Sequence, residues 1–370
     1  MIRTFKYRIY PTTKQTRALQ ASLNACRWVY NKTLETKKKA WEDLKISISF
    51  YDTNNLLPTW KKENNALKNV YSQCLQDTQG RLDLAFKAFF CRIKAGEKPG
   101  YPRFKSFDRY DSFTYPQSGF KLVENKLKLS KIGSIKIKIH RELIKEIKRL
   151  TIRKDSMGKW FACFACEVQS NLLPKVESTI GIDVGLTSFA TFSDGTKIEN
   201  PRFFREDQSK LAKAQRRLSK ADKGTEKRKK LKKVVSHIHE KIRNKRSDFA
   251  HKLSRDIVNT NQIIAFEKLE VKNMMENHTE CFGNKLNKSI ADVAWNQFMN
   301  FTTYKAEDAG RTVIFVNPRN TSQMCSQCGE IVKKDLSVRV HVCDCGLTLD
   351  RDHNAALNIL ALGMQSLTSV

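Results

Sequence analysis

The 370-residue sequence lacks a run of about 18 apolar residues and lacks the apolar segment of a secretory signal peptide. These absences argue against a membrane protein, and we expect the chain to be cytoplasmic. Its ten cysteines are then expected to be reduced, because disulfide bonds are rare in a reducing compartment. The sequence therefore predicts a protein whose cores are stabilised without disulfides.

Acidic residues are also scarce relative to basic ones. The chain has 38 Asp and Glu against 68 Lys and Arg, which gives a formal net charge of +30. So large an excess repels itself unless a polyanion neutralises it, and nucleic acid is the partner that this composition favours over a membrane surface. The length predicts two or three domains, each with a core of its own.

Four cysteines near the C-terminus predict a closed zinc site: Cys325 with Cys328, and Cys343 with Cys345. Gly329 and Gly346 follow the two pairs, as expected where the backbone must turn its amides towards thiolate sulfurs. The second pair departs from the usual pattern, with one intervening residue instead of two. The alternative is four cysteines that only pack in a core. Cys163 and Cys166 lie in a strand-like run, where residues three apart face opposite sides, and are interpreted as core residues.

An acidic pair, Asp350 and Asp352, follows the cysteines and begins a predicted helix. Small and apolar residues continue from Asp352 along one stripe of that helix: Ala355, Ala356, Ile359 and Gly363. A carboxylate at the head of a buried stripe needs a partner or a metal. An N-cap role explains one aspartate of the pair and leaves the other, which the stripe identifies as Asp352, with Asp350 as the alternative.

Two further carboxylates occur on predicted apolar strands. Asp183 lies in the run TIGIDVGL, where Gly185 would allow a ligand or a neighbouring backbone to approach closely. Glu267 ends the short strand predicted over 262–269. Each acid alone could have a role unrelated to catalysis, but three carboxylates that converge could hold two Mg²⁺ ions about 4 Å apart.

The remaining patterns give the order of the elements. A strand at residues 5–9 precedes helical segments over 12–95, the first with a capping box of Thr12 and Gln15. Residues 100–116 are aromatic and basic, with prolines that forbid a long helix. The alternating runs that follow, at 126–130, 134–140, 149–154 and 159–168, predict the strands of a small antiparallel barrel or sheet. Two very basic helices over 208–258 follow, with a break near Asp222–Gly224.

Further along the chain, a polar segment up to about Lys288 is interpreted as a lid. One helix carrying Ala291 and Trp295 is predicted to end at Gly310, and a last strand covers 312–316. The order of strands, helices and acids after residue 178 is that of a ribonuclease H-like sheet, with the cysteine segment inserted before the final helix.

The sequence also resembles the TnpB (OrfB) family, the transposon-encoded RNA-guided nucleases related to type V CRISPR effectors. The matching stretches span nearly the whole chain: KYRIYPT, GYPRFKS, DSFTYP, GIDVGL, FEKLEVKNM, SIADVAWNQF, TSQMCSQCG and DRDHNAALNIL. In that family the acids of GIDVGL, of the FEKL segment and of the final aspartate motif form the RuvC catalytic triad. The resemblance therefore implies catalytic roles and Mg²⁺ binding for Asp183, Glu267 and Asp352.

The resemblance further implies an α/β multidomain fold. A wedge domain of β-barrel type would comprise residues 1–11 and 96–172, with a helical recognition domain, residues 12–95, inserted into it. A ribonuclease H-like (RuvC) nuclease domain would comprise residues 178–370, with a zinc ribbon at 321–348 inserted into it.

The implied function is that of an RNA-guided, Mg²⁺-dependent DNA endonuclease of an insertion sequence. It would bind a transposon-derived guide RNA and cleave double-stranded target DNA beside a short transposon-adjacent motif. We expect a bacterial, nucleoid-associated protein that is a monomer with its RNA. Two alternatives remain: a nuclease-inactive RNA-guided DNA-binding regulator, and a guide-free DNA recombinase or transposase accessory protein.

Overall fold

A computed structural model of the protein describes residues 1–141, 146–271, 274, 283–335 and 338–368. The chain forms two compact units, Met1–Gln169 and Ser170–Val370. The lid predicted up to Lys288 lies mostly outside the described residues. Within the described part, no helix combines the length and the apolar character that crossing a bilayer requires. The finer domain boundaries inferred from the sequence stay predictions.

Unit 1 contains one seven-stranded antiparallel sheet. Its strands are β1 (Ile2–Tyr10), β2 (Ser112–Tyr115), β3 (Phe120–Val123), β4 (Lys126–Leu129), β5 (Gly133–Lys138), β6 (Ile147–Lys154) and β7 (Trp160–Glu167). They follow the order β2-β6-β7-β1-β5-β4-β3, so that the first strand lies in the middle of the sheet. The sheet is similar to the predicted barrel, but its described strands form an open sheet with β2 and β3 at the two edges. These are the two short strands that the sequence patterns did not predict.

Alternation of apolar and polar side chains explains why these segments form strands. In β1, Tyr7 and Ile9 are buried, whereas Lys6, which lies between Phe5 and Tyr7, is exposed. One face of the sheet therefore supplies the core and the other carries cations. In β7, Cys166 is buried and Cys163, on the opposite side, is only partly buried, so the prediction that both are core residues is confirmed for Cys166 alone.

The helices of unit 1 all lie between β1 and β2 in the chain. They are α1 (Thr13–Leu44), α2 (Phe50–Asn55), α3 (Leu57–Glu63) and α4 (Ser72–Lys94). The predicted capping box is present, since the Thr12 hydroxyl accepts from the Gln15 backbone amide and the Gln15 side chain accepts from Thr12. Within the predicted helical region, Leu67 lies on a separate 3₁₀ turn, Asn65–Asn69, that ends before α4.

Unit 2 contains a mixed five-stranded sheet in the order β10-β9-β8-β11-β12. Its strands are β8 (Thr179–Val184), β9 (Ser188–Phe192), β10 (Lys197–Glu199), β11 (Ile263–Glu267) and β12 (Thr312–Val316). The first three form an antiparallel meander, whereas β11 pairs in parallel with both β8 and β12. A small hairpin, β13 (Val340–Val342) with β14 (Thr348–Asp350), lies in the cysteine segment.

Five described helices complete unit 2: α5 (Phe203–Ser219), α6 (Glu226–Thr260), α7 (Gly283–Val293), α8 (Trp295–Ala309) and α9 (Arg351–Thr368). The predicted break between the two basic helices falls at residues 220–225. The prediction of a single helix containing both Ala291 and Trp295 is wrong, because Ala294 adopts a left-handed backbone conformation (φ 55°) and divides the segment into α7 and α8. Gly310 ends α8 in a left-handed cap, as predicted.

Helix α9 packs against β8 at Gly181. A β-carbon at this glycine would lie 2.2 Å from the backbone oxygen of Ala356 and 2.8 Å from the Leu360 amide nitrogen. Only glycine permits so close an approach of a helix backbone to a strand. The contact matters because α9 carries Asp352 and β8 carries Asp183. Gly185, to which the sequence analysis gave this kind of role, has a looser contact of 3.1 Å with the Ser188 oxygen.

We predict that Gly181→Ala destabilises unit 2 by about 1–3 kcal/mol, because the added methyl group must displace the α9 backbone. Chemical denaturation of the full-length protein measures the change. Gly100→Ala is the matched control, since a β-carbon at Gly100 would meet no atom within 4 Å. Equal stability of the two variants would contradict this account of the packing.

Candidate active site

The acids Asp183 and Glu267 lie on neighbouring parallel strands. Strands β8 and β11 pair through Ile182 and Phe266, so each acid is the residue that follows a paired position. In a parallel pair, consecutive positions keep their register, and the carboxyl ends of both strands meet at one edge of the sheet. The two acids therefore come to the same edge although 84 residues separate their numbers (267 − 183).

The helix α9 brings Asp352 to the same edge and assigns different tasks to the two aspartates at its start. The Asp350 carboxylate accepts hydrogen bonds from the backbone amides of Asp352 and His353, both at 3.1 Å, and pairs with Lys197 at 2.7 Å. These donors hold the pKa of Asp350 below its ordinary value although burial acts to raise it. Asp350 is thus the helix cap, and Asp352 is the aspartate left over.

Electrostatics shows that the three acids are close together. The pKa of Asp183 is raised to about 8, mainly by burial and also by the charges of Glu267 and Asp352, with Arg351 acting in the opposite direction. Asp183 keeps some exposed surface, but enough protein surrounds its carboxyl group for desolvation to be the main cause. The surroundings of this carboxyl group therefore favour the binding of a positive charge.

Among the described residues, the Glu267 carboxylate has one hydrogen-bond donor. The Thr321 hydroxyl donates to Glu267 Oε1 at 3.2 Å. Burial raises the pKa of Glu267, and this hydrogen bond opposes the rise. Thr321 lies between β12 and the first cysteine pair, and the sequence analysis did not single it out.

A second residue missed by the sequence analysis is Arg351. Its guanidinium donates to Asp352 Oδ1 through both Nε and Nη2 at 3.2 Å, and Arg339 Nη1 lies 3.9 Å from Asp352 Oδ2. Cations therefore engage both oxygens of Asp352. The signal in the sequence was the alternation of acid and base in Asp350-Arg351-Asp352, which places a guanidinium next to each carboxylate.

The cysteine segment forms a compact sulfur cluster. The four sulfur atoms all lie within 4.8 Å of one another, with Cys325 and Cys345 3.7 Å apart and Cys328 and Cys343 3.6 Å apart. Four sulfurs held 2.3 Å from a tetrahedral ion lie about 3.8 Å apart, so the spacing suits Zn²⁺. Within the described ranges this is the one group of three or more possible metal ligands with such mutual distances. The carboxylate oxygens of the three acids are spread more widely.

The backbone around the sulfurs adopts the predicted turns. Gly329 and Gly346 have positive φ angles of 82° and 93°, and their amides donate to the Cys325 and Cys343 oxygens. Burial acts to raise the pKa of Cys325, but backbone amides and the His341 ring lower it to about 6. Of the four cysteines, Cys325 therefore ionises most readily to the thiolate, the form that binds metal, whereas the pKa of each of the other three is raised.

An open groove in unit 1 lies between α4 and the strands β2 and β6. Glutamine, threonine and basic side chains line much of it, including Gln73, Gln76, Lys87, Thr114, Gln117 and Arg149. Arg81 in its wall is already engaged, since it pairs with Asp77 at 2.8 Å and donates to the Ser112 oxygen. Lys87 likewise pairs with Asp83 at 3.1 Å, and the groove as a whole is a polar surface able to donate and accept hydrogen bonds.

Three family models match the chain. One described as "Probable transposase", of the OrfB type found in IS605 elements, matches residues 163–278. A "Cas12f1-like, TNB domain" model matches residues 295–359, and a "Helix-turn-helix domain" model from the same OrfB group matches residues 1–45. Despite the last description, residues 1–45 form the strand β1 and the single helix α1.

Two relatives and two solved structures extend over the whole chain. A protein of Streptomyces pristinaespiralis named "Putative RNA-guided DNA endonuclease" is 37% identical over 98% of this chain and 89% of its own length. The similarly named InsQ of Escherichia coli K12 is 32% identical over 98% of this chain and 92% of its own.

The fold is similar to that of Cas12f1 in a complex with guide RNA and target DNA, with a TM-score of 0.60 at 14% identity, covering 97% of this chain and 98% of that one. The mini RNA-guided endonuclease Cas-phi3 gives a TM-score of 0.57 at 10% identity, covering 98% and 92%. At such identities these structures show a shared fold alone. Together with the full-length identity to the two relatives, the matched family models show that this chain belongs to the TnpB (OrfB) family.

Proposed function

We propose that the protein is an RNA-guided, Mg²⁺-dependent DNA endonuclease of an insertion sequence. The observation that carries the proposal is the meeting of Asp183, Glu267 and Asp352 at one sheet edge, in a chain that has full-length relatives named as RNA-guided DNA endonucleases. Hydrolysis of a phosphodiester is the reaction that such an acidic edge serves best.

The sheet supports assignment of residues 178–370 to a RuvC-type nuclease domain. The strand order β10-β9-β8-β11-β12, with an antiparallel meander and then two parallel strands, is the order expected of a ribonuclease H-like fold. Residues 1–11 and 96–172 would form the wedge domain, and residues 12–95 the helical recognition domain. The position of all four helices of unit 1 between β1 and β2 favours this division.

The residues at the acidic edge fit a divalent cation. Three carboxylates offer the oxygen ligands that Mg²⁺ prefers, and the pKa of Asp183 is raised by burial and by neighbouring negative charges that a cation would offset. Bound there, Mg²⁺ would supply an activated water and stabilise the leaving 3′ oxygen. Asp183, Glu267 and Asp352 would hold the ions, Arg351 would keep Asp352 in place, and Asp350 caps α9 and would take no part in the chemistry.

The sulfur cluster would hold one structural Zn²⁺. All four ligands would be cysteines, which leaves no coordination position open for water or substrate. This is the pattern of a structural rather than a catalytic zinc site. Cys325, Cys328, Cys343 and Cys345 would therefore stabilise the fold of residues 321–348 as a zinc ribbon.

The basic surface would bind a transposon-derived guide RNA and the double-stranded target DNA. Helices α5 and α6 carry many exposed Lys and Arg side chains, such as Lys227, Lys230 and Lys232. Such a surface follows phosphates regardless of sequence. We expect one chain per RNA, in the bacterial cytoplasm and associated with the nucleoid.

The groove between α4 and β2 is the candidate for reading a short motif in duplex DNA. Glutamine and arginine side chains form bidentate hydrogen bonds with adenine and guanine edges. Gln76, Gln117 and Arg149 line the groove and match this chemistry.

A guide-free transposase accessory protein is the second candidate function, because one matched family model is described as a probable transposase. A nuclease-inactive regulator is disfavoured, since all three acids are present. Cleavage assays with and without the RNA separate these functions.

We predict that Ala at Asp183, Glu267 or Asp352 lowers the rate of DNA cleavage by at least about 1,000-fold, equivalent to about 4 kcal/mol, because metal ligation is lost. Affinity for RNA and DNA should be unchanged, since these acids do not bind phosphate directly. Asp350→Ala is the control: it should lose about 1 kcal/mol of stability and retain cleavage. Activity in Asp352→Ala together with its loss in Asp350→Ala would reverse the assignment.

We predict about one zinc per chain in the purified protein, and its loss in Cys325→Ser and Cys343→Ser. Because metal binding in such sites is coupled to folding, these variants should also unfold at lower temperature. Elemental analysis and thermal denaturation make the measurement, with Cys91→Ser, an exposed cysteine outside the cluster, as control. A zinc-free wild-type protein with normal activity would reduce the four cysteines to packing residues.

We predict that the protein co-purifies with a discrete structured RNA when it is expressed with its native locus. A net charge of +30 suits a large anion that contacts several domains, so the affinity should fall steeply as salt rises. Changing only the guide segment should redirect cleavage, and RNA-free protein should leave matched DNA intact. Equal cleavage of a defined site without RNA would favour the transposase function instead.

A further inference from the structure

The segment between β12 and the first cysteine is held from two directions. Its residue Thr321 is only 4% exposed and donates its hydroxyl hydrogen bond to Glu267 at the end of β11. The same segment continues directly into Cys325, the first sulfur of the cluster. Thr321 therefore lies between the metal-binding cysteines and a candidate catalytic acid.

Two buried asparagines on α9 fix this segment. Asn358, 2% exposed, donates to the backbone oxygens of Thr321 at 2.9 Å and Met324 at 2.7 Å. Asn354, fully buried, donates to the Met324 oxygen at 2.8 Å and accepts from the Ser326 amide at 2.9 Å. Both asparagines lie on the helix that begins with Arg351 and Asp352, so Thr321 and Asp352 are held by one rigid element.

The hydroxyl of Thr321 has one proton and two acceptors within reach. These are Glu267 Oε1 at 3.2 Å and the backbone oxygen of Pro318 at 3.3 Å. An ionised carboxylate is the stronger acceptor, because hydrogen bonds to a charged group are roughly twice as strong as neutral ones. When Glu267 is ionised, the proton is therefore directed to it, and one carboxylate oxygen is fixed while the other remains available to a cation.

We propose that Thr321 is a positioning residue for the cation site, and that Asn354 and Asn358 set its place relative to Asp352. The proposal rests on the proposed function, since it concerns the same acids. In metal sites, ligating carboxylates are themselves hydrogen-bonded, and loss of such a partner weakens metal binding or activity by about 10–100-fold. Thr321 would give Glu267 this support and connect it to the fold of the cysteine segment.

The test compares Thr321→Val, which keeps the shape and removes the hydroxyl, with Thr321→Ser, which keeps the hydroxyl. Thr302→Val is the matched control, because Thr302 is equally buried in unit 2 but donates only to the Phe298 oxygen of its own helix. Binding of Mn²⁺ to the full-length protein without RNA, followed by electron paramagnetic resonance, gives a readout independent of cleavage. The Mg²⁺ concentration for half-maximal cleavage by the RNA-loaded protein gives the second.

We expect Thr321→Val to weaken Mn²⁺ binding and to raise the required Mg²⁺ by about 10–100-fold, with zinc content and RNA affinity unchanged. Thr321→Ser and Thr302→Val should remain close to wild type. In a Glu267→Gln background, Thr321→Val should cause no further loss, because two residues that act through one interaction are not additive.

Wild-type cation affinity in Thr321→Val would overturn the proposal. It would also be overturned if Thr321→Val reduced cation affinity as much in the Glu267→Gln background as in the wild-type protein. A third contradicting result is loss of zinc in Thr321→Val but not in Thr321→Ser, with Mn²⁺ affinity unchanged, because the hydroxyl would then serve only to close the turn at Pro318. Failure of the proposed function has a different signature: Mn²⁺ binding would respond to these substitutions as expected, but the RNA-loaded wild-type protein would not cleave DNA.

Discussion

The close contact of a helix with a strand is the constraint on which the acidic edge depends. Asp352 reaches the edge that carries Asp183 because the α9 backbone approaches β8 over Gly181, where any side chain would collide with the Ala356 oxygen. Gly363, further along the helix, also lies close to β11, where an added β-carbon would be 2.8 Å from that of Ala265. The two glycines thus allow one helix to pack on two neighbouring strands, each of which carries an acid at its carboxyl end.

This placement of the helix brings three carboxylates together, and neighbouring cations and hydrogen-bond donors offset only part of the resulting electrostatic cost. Burial and two neighbouring carboxylates raise the pKa of Asp183, and Arg351 compensates for little of that effect. Arg351 and Arg339 approach Asp352, while the partner of Glu267 is the neutral Thr321 hydroxyl. Within the described residues, no basic side chain forms an ion pair with Asp183 itself. The position that lacks compensation is the one where a divalent cation has most to offset.

Much of this arrangement could be predicted from the sequence, because alternation and helical periodicity reflect burial directly. The buried stripe of α9 and the strand ends at Asp183 and Glu267 followed from such patterns. The division at Ala294 could not be predicted, since alanine favours helix and its left-handed conformation is imposed by tertiary structure. Thr321 was missed for a similar reason: a lone threonine in a loop carries no periodic signal, and its partner lies 54 positions away.

The strong positive charge of the chain does not remove the cost of the acidic cluster. In physiological salt, exposed charges are screened over about 8 Å, so the lysines on the exposed faces of α5 and α6 have little effect on a buried carboxylate at a sheet edge. Desolvation and adjacent charges act at contact distance and are screened much less, which is why the pKa of Asp183 is raised in a protein of net charge +30. A strongly basic surface and an acidic sheet edge can therefore coexist in one protein, because screening separates their fields.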